Sequence, residues 1–209
     1  MWKTNKNLLF LDIDGVLNSQ AWFSKNIDVI KSDPSNSFHH LDPEACLCLQ
    51  QALNQVGNVS IVLSSTWRLL HTPEQMSDWF LTNGLTCPLI GYTPYLGLPD
   101  ELKDQHSFIK RGLEIQWWLR NFACANGEVF PDISVAILDD DADMGDLLPC
   151  LTQTRFQTGF AELEVPYLLQ KFNVTLLDSR AAGGNGEIRW EHDALSMEVN
   201  SRYPCWCNN

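Results

Sequence analysis

Apolar residues along the chain fall into two patterns. Leu8–Leu11, Val59–Leu63, Val135–Leu138 and Val174–Leu177 are short, essentially apolar runs rather than strict alternations. Such runs suit strands covered on both faces, as in a parallel sheet. Pro88-Leu89-Ile90-Gly91-Tyr92 is a weaker run of the same kind. Helical spacing lies between them. Asp42-Pro43-Glu44 offers an N-cap followed by proline at the first helical position, Gly57 offers the stop, and Cys46, Leu49, Leu53 and Val56 recur on one face. Thr72-Pro73-Glu74-Gln75 has the capping-box pattern, with Met76, Trp79 and Phe80 as the apolar face and Asn83-Gly84 as terminator. A third helix is predicted from about Phe108 to Phe122, carrying Ile109, Leu113 and Trp117 on one side.

Strands alternating with helices predict an α/β fold with a doubly wound, Rossmann-like parallel sheet. Residues 19–41 read as an irregular polar stretch, a loop or small flap. Arg180-Ala181-Ala182-Gly183-Gly184-Asn185-Gly186 reads as a flexible linker by composition. The expected organisation is therefore one domain over residues 1–179, followed by a Gly-rich linker and tail over 180–209 that packs on the domain or trails from it. No internal repeat is visible.

Charge changes this picture in one respect. Fourteen Lys and Arg against twenty-six Asp and Glu give a net charge of −12. General nucleic-acid binding depends on neutralising phosphates with cations, so it is not expected here. A small local site for one nucleic-acid end remains compatible. No run approaches the roughly 18 apolar residues of a membrane span, and no signal-peptide core is visible, so no membrane association is expected. Seven cysteines, an odd and scattered set, read as reduced thiols, and the expectation is a cytoplasmic protein.

In a parallel sheet, ligands bind beyond the carboxyl ends of the strands. Three of the predicted strands close on polar residues there: Leu11-Asp12-Ile13-Asp14-Gly15, Leu63-Ser64-Ser65-Thr66-Trp67-Arg68 and Leu138-Asp139-Asp140-Asp141-Ala142-Asp143. Strand alternation would put Asp12 and Asp14 on one side with Ile13 opposite. Close carboxylates repel unless a cation sits between them, and an oxygen-only cluster suits Mg²⁺. Gly15 permits a tight turn and offers backbone amide to an anion. An Asp-x-Asp-Gly segment alone is often only a strand-ending turn. The order apolar strand, hydroxyl-ending strand, acid-ending strand points beyond that. Arg68 suits either a phosphate or an acidic partner. Ser65 and Thr66 suit either the site or the cap of a following helix, and Asn18 suits holding the turn. His39-His40 with Cys46 and Cys48 matches no usual zinc spacing, and Trp117-Trp118 reads as packing.

Leu8 to Asn18 resembles the first motif of the haloacid dehalogenase superfamily. With Val62–Arg68, Arg111-Gly112-Leu113-Glu114-Ile115 and Ile137–Met144, the chain resembles the haloacid-dehalogenase-type domain of Swiss Army Knife RNA repair proteins, over roughly residues 7 to 177. The resemblance implies Asp12 as the nucleophile that forms an aspartyl-phosphate. It implies Asp14 as the acid that protonates the leaving group and then activates water. Ser64 matches the hydroxyl that holds the phosphoryl oxygens; Ser65, Gly15 and Arg68 are the further phosphate-binding candidates from the strand-end reading. Asp12, Asp14, Asp139 and Asp140 would hold Mg²⁺, with Asp143 as a supporting acid. The third motif usually offers Lys; here Arg111 fits the register best, with Lys110 adjacent, and the two are not equivalent donors.

The implied activity is that of a magnesium-dependent phosphatase on a phosphorylated substrate, either a small molecule such as a nucleotide or a nucleic-acid end. A phosphotransferase of the same fold and a catalytically silent binding module are the alternatives. The insertion from about Ser19 to Leu41 is too short for a full helical cap, so an open site is expected.

Overall fold

The computed structural model describes residues 6–32, 41–96, 110–126 and 133–173. Five strands form one sheet: β1 (Lys6–Leu11), β2 (Val59–Leu63), β3 (Leu89–Tyr92), β4 (Ile133–Asp139) and β5 (Leu151–Gln153), in the order β3-β2-β1-β4-β5. Every neighbouring pair is parallel. Helices α1 (Gln20–Ser32), α2 (Pro43–Val56), α3 (Pro73–Thr82), α4 (Lys110–Asn126) and α5 (Val165–Lys171) accompany it. Two 3-10 turns, Thr66–Leu69 and Gly145–Cys150, follow β2 and precede β5. The fold is the doubly wound parallel α/β sheet that the sequence predicts.

Alternation within each strand separates two cores. On one face Leu9, Leu11, Ile61 and Leu63 pack with Cys46, Leu49 and Leu53 of α2, Met76 and Phe80 of α3 and Leu168 of α5. On the other, Leu8, Phe10 and Val62 pack with Ile115, Leu119 and Ala123 of α4 and with Leu147 and Cys150. Each such side chain contributes about 1.5–3 kcal/mol by leaving water, so both faces resist displacement of β1.

The caps of α2 and α3 form as predicted. The Asp42 carboxylate accepts from Glu44 N–H at 2.9 Å, and Thr72 and Gln75 make the reciprocal capping box. Three expectations need correction or extension. Residues 20–32 are helical: the Ser19 hydroxyl accepts from Trp22 N–H at 3.1 Å and starts α1, but no residue of the helix is buried, so no core stripe marked it in the sequence. The inward face of α4 is Gly112, Ile115, Leu119 and Ala123, while Leu113 and Trp117 are only half-buried. Gly112 sets that rotation by bringing the helix backbone against the chain near Met144. β5 is a three-residue edge strand, too short to show a pattern. The predicted strand Val174–Leu177, the linker and the tail lie outside the described residues, as do His39, His40 and Ile109.

Trp118 meets Phe10 edge-on at 5.5 Å and stacks on Phe122 at 4.8 Å, so it packs the core as expected. No described helix is long and apolar enough to cross a membrane.

The approach of α4 to the Met144 segment is a sensitive point. A Cβ at residue 112 would lie 2.0 Å from the Met144 carbonyl oxygen. Gly112→Ala is expected to destabilise the fold by roughly 1–3 kcal/mol. Its denaturation midpoint should fall at unchanged slope; an unchanged midpoint would show that α4 can move off this segment freely.

Candidate active site

From β1 the sheet is built outward in both directions, and the crevice where the direction reverses opens beyond β1 and β4. Ladder bonds continue past the strand ends and fix what lies there. Asp12 N–H donates to Leu138 O at 2.9 Å, Ser64 N–H to Leu11 O at 2.8 Å, and Thr154 N–H to Asp139 O at 3.0 Å. Oxygens of Asp12, Asp139 and Asp140 consequently lie within 4.8 Å of one another. Asp12 is 6% exposed and Asp139 fully buried, so these are not solvated surface acids.

Arg111, in the first turn of α4, supplies the opposing charge. Its guanidinium lies 3.8 Å from Asp12 and 3.5 Å from Asp139, and it donates to the Ser64 carbonyl. Its position is set by main chain: Arg111 N–H donates to the Asp143 carboxylate at 3.2 Å and Gly112 N–H to the Asp143 carbonyl at 3.1 Å. Asp143 thus acts as the cap of α4, a role at the helix start and not one within the acidic cluster. The structure places Arg111 among the carboxylates; the side chain of Lys110 lies outside the described residues.

The Ser64 hydroxyl is buried and has no hydrogen-bond partner, so it is available to a substrate oxygen. Ser65 takes the capping role: its hydroxyl accepts from Trp67 N–H at 3.4 Å at the start of the 3-10 turn, and it lies close enough to Asp12 to help lower that carboxyl's proton affinity.

Three site expectations change. Gly15 turns the chain at φ +71° and sits against Asp140, where a Cβ would meet the carboxylate at 2.4 Å. Its N–H, however, donates to Asn18 Oδ1 at 3.1 Å, so that amide is committed to the turn and not to an anion. Asp14 does not join the acidic cluster. The strand ends at Leu11 and the chain turns back onto Ile13 O, so alternation does not carry to residue 14. Its oxygens accept from Asn18 Nδ2 at 2.9 Å and Trp67 Nε1 at 3.0 Å. Arg68 is held by Glu114 at 2.7 Å, both buried, and also donates to Ser65 O. Its guanidinium is thus committed to Glu114 and to the loop after β2.

Glu114, Trp67 and Thr154 were missed as supports. Glu114 also accepts from Leu96 N–H at 3.1 Å, and the Thr154 hydroxyl donates to Gly15 O at 2.7 Å. An acid on the inward face of a predicted helix was the one available signal, and it needed the correct rotation of α4.

Burial pushes the Asp12 carboxyl up to about 6, against the lowering influence of Arg111 and the hydroxyl of Ser65. Burial and the neighbouring Asp12 raise Asp139 well above the usual carboxylate range, and burial raises Asp140. One guanidinium among three acids leaves an excess of negative charge. Asp139 Oδ2 is buried without a hydrogen bond. An oxygen-only donor set with a buried carboxylate oxygen that has only an ion-pair contact and no hydrogen bond fits a hard divalent cation such as Mg²⁺. Among the described residues this is the one acidic cluster of that geometry.

A parallel α/β sheet with a buried carboxylate after β1, a hydroxyl after β2 and acids after β4 is an arrangement of the haloacid dehalogenase type. The chain belongs to the family described as the HAD domain in Swiss Army Knife RNA repair proteins, whose model matches residues 8–165. That superfamily is one of hydrolases and phosphatases. Neither curated proteins nor solved structures yield a match.

A carboxyl with a raised folded-state value holds its proton more tightly folded than unfolded. Its contribution is therefore complete below the unfolded value and disappears as pH rises through the folded one. Without metal, the wild type should lose stability relative to the non-titrating Asp12→Asn variant as pH rises from about 4 to about 6. The difference should be on the order of 2–3 kcal/mol. Denaturant titrations of the two proteins at several pH values measure it, and parallel profiles would show that Asp12 ionises without penalty.

Proposed function

We propose that the chain is a Mg²⁺-dependent phosphohydrolase that passes a phosphoryl group through Asp12 to water. The observation that carries this reading is the buried Asp12 carboxylate within 4.8 Å of Asp139 and Asp140 oxygens, beside Arg111 and an unpartnered Ser64 hydroxyl. Magnesium held by Asp12, Asp139 and Asp140 would supply positive charge against the phosphoryl oxygens.

The chain's own groups do the rest. An Asp12 oxygen attacks phosphorus and forms an aspartyl-phosphate as the ester P–O bond breaks. The departing oxygen keeps the electron pair and takes a proton from Asp14. Ser64 donates to a phosphoryl oxygen, and Arg111 balances charge on the phosphorylated Asp12. Asp14, now a carboxylate, takes a proton from the water that attacks phosphorus, which releases phosphate and restores Asp12. The family's association with RNA repair supports nucleic-acid ends or nucleotides as substrates. The net charge of −12 supports recognition confined to the end and not to an extended strand.

Phosphate release from an aryl phosphate, nucleotides and 3′- or 5′-phosphorylated oligonucleotides, each with Mg²⁺ and with chelator, tests the proposal. Release should require the cation and fall roughly a thousandfold or more in Asp12→Asn, whose amide keeps the volume but is a poor nucleophile. Asp14→Asn should lose roughly 10²- to 10⁴-fold while still binding metal. Full activity in Asp12→Asn, or in the presence of chelator, would defeat the mechanism.

A further inference from the structure

We propose that Trp67 is a positioning residue for Asp14: its indole N–H fixes the carboxyl group that exchanges protons with the leaving group and water. This rests on the phosphohydrolase reading above and adds to it a residue outside the acidic cluster.

Trp67 lies in the 3-10 turn directly after β2 and is 8% exposed. Its Nε1 donates to Asp14 Oδ2 at 3.0 Å, bridging two strand ends far apart in sequence. Asn18 Nδ2 donates to the other oxygen at 2.9 Å. An indole is a donor only, so this bond holds in one direction and uses one lone-pair site of Oδ2. With one donor on each oxygen the carboxyl plane is fixed, and each oxygen keeps a further site on which to carry or receive a proton.

Trp67 is itself fixed. Its ring meets Trp79 edge-on at 6.3 Å and His71 at 5.5 Å, while its backbone N–H donates to the Ser65 hydroxyl. Ring and backbone are thereby both held, the ring by its aromatic neighbours and Asp14 and the backbone by Ser65. A buried indole often bonds the nearest acceptor for packing reasons alone. The two roles differ in consequence. Packing affects every substrate alike, whereas orienting Asp14 matters most when the leaving oxygen needs a proton.

The test compares kcat/KM of the full chain with Mg²⁺ across phosphate monoesters, from dinitrophenyl to alkyl. Trp67→Phe should lose roughly 10- to 100-fold on alkyl esters, a loss of the size produced by misplacing a reacting group, and change little on dinitrophenyl phosphate. Trp79→Phe, which alters the packing but not the donor, should keep the wild-type dependence on leaving group. An equal loss in Trp67→Phe across the series would overturn the proposal. Asp14→Asn should show the same selectivity more strongly; if it shows none, the acid/base assignment fails and the proposal with it. A second measurement needs no activity. The indole proton signal missing in Trp67→Phe identifies Trp67, and in Asp14→Ala that signal should move upfield and exchange faster with water. A signal unchanged by Asp14→Ala would overturn the proposal whatever the kinetics show.

Discussion

β1 and β4 pair in parallel from Lys6 with Ile133 to Leu11 with Leu138, and this register places Asp12 beside Asp139. Side chains alternate along a strand, so a slip of one residue would turn every carboxylate and every core leucine to the opposite face. Leu8 and Phe10 are held by one core and Leu9 and Leu11 by the other. A slip would thus disrupt both cores as well as the acidic site. The hydrophobic cores that stabilise the sheet are therefore also what keeps two repelling acids side by side.

That juxtaposition opposes stability at the same point. Burial and mutual repulsion make the charged forms of Asp12 and Asp139 costly, and the fold answers with one guanidinium. Arg111 is held in place by Asp143, by the close backbone approach at Gly112 and by the Ser64 carbonyl. A second buried pair, Arg68 with Glu114, ties the loop after β2 and the segment around Leu96 to the same helix. The site is thus built in two tiers: acids and Arg111 facing the crevice, and a neutralised pair behind them.

Much of this was visible in the residues. Unbroken apolar runs located β1, β2 and β4, because a doubly covered strand leaves a signal in composition alone. Caps located α2 and α3, because Asp42 and the Thr72–Gln75 box act within one turn of chain. α1 was not legible because none of its residues enters a core, and β5 because three residues show no period. For the site, Asp12, Ser64, Arg111, Asp139 and Asp140 could be placed from strand ends and motif order. What failed were inferences about direction. Gly15 N–H, the Asp14 carboxylate and the Arg68 guanidinium all point toward partners that are distant in sequence or set by a turn. Strand alternation gives a side for each residue but says nothing once the strand has ended.

α1 follows directly on the turn that holds Asp14 and is anchored at its start, where Gln20 and Ala21 N–H donate to Phe156 and Gln157 carbonyls. Beyond that anchor it contributes no side chain to either core. Beyond its first turn, changes in this helix leave the residues of both cores in place. The chain next to Asp14 is thus, among the described residues, a helix that can change while the two cores and the acidic cluster keep their packing.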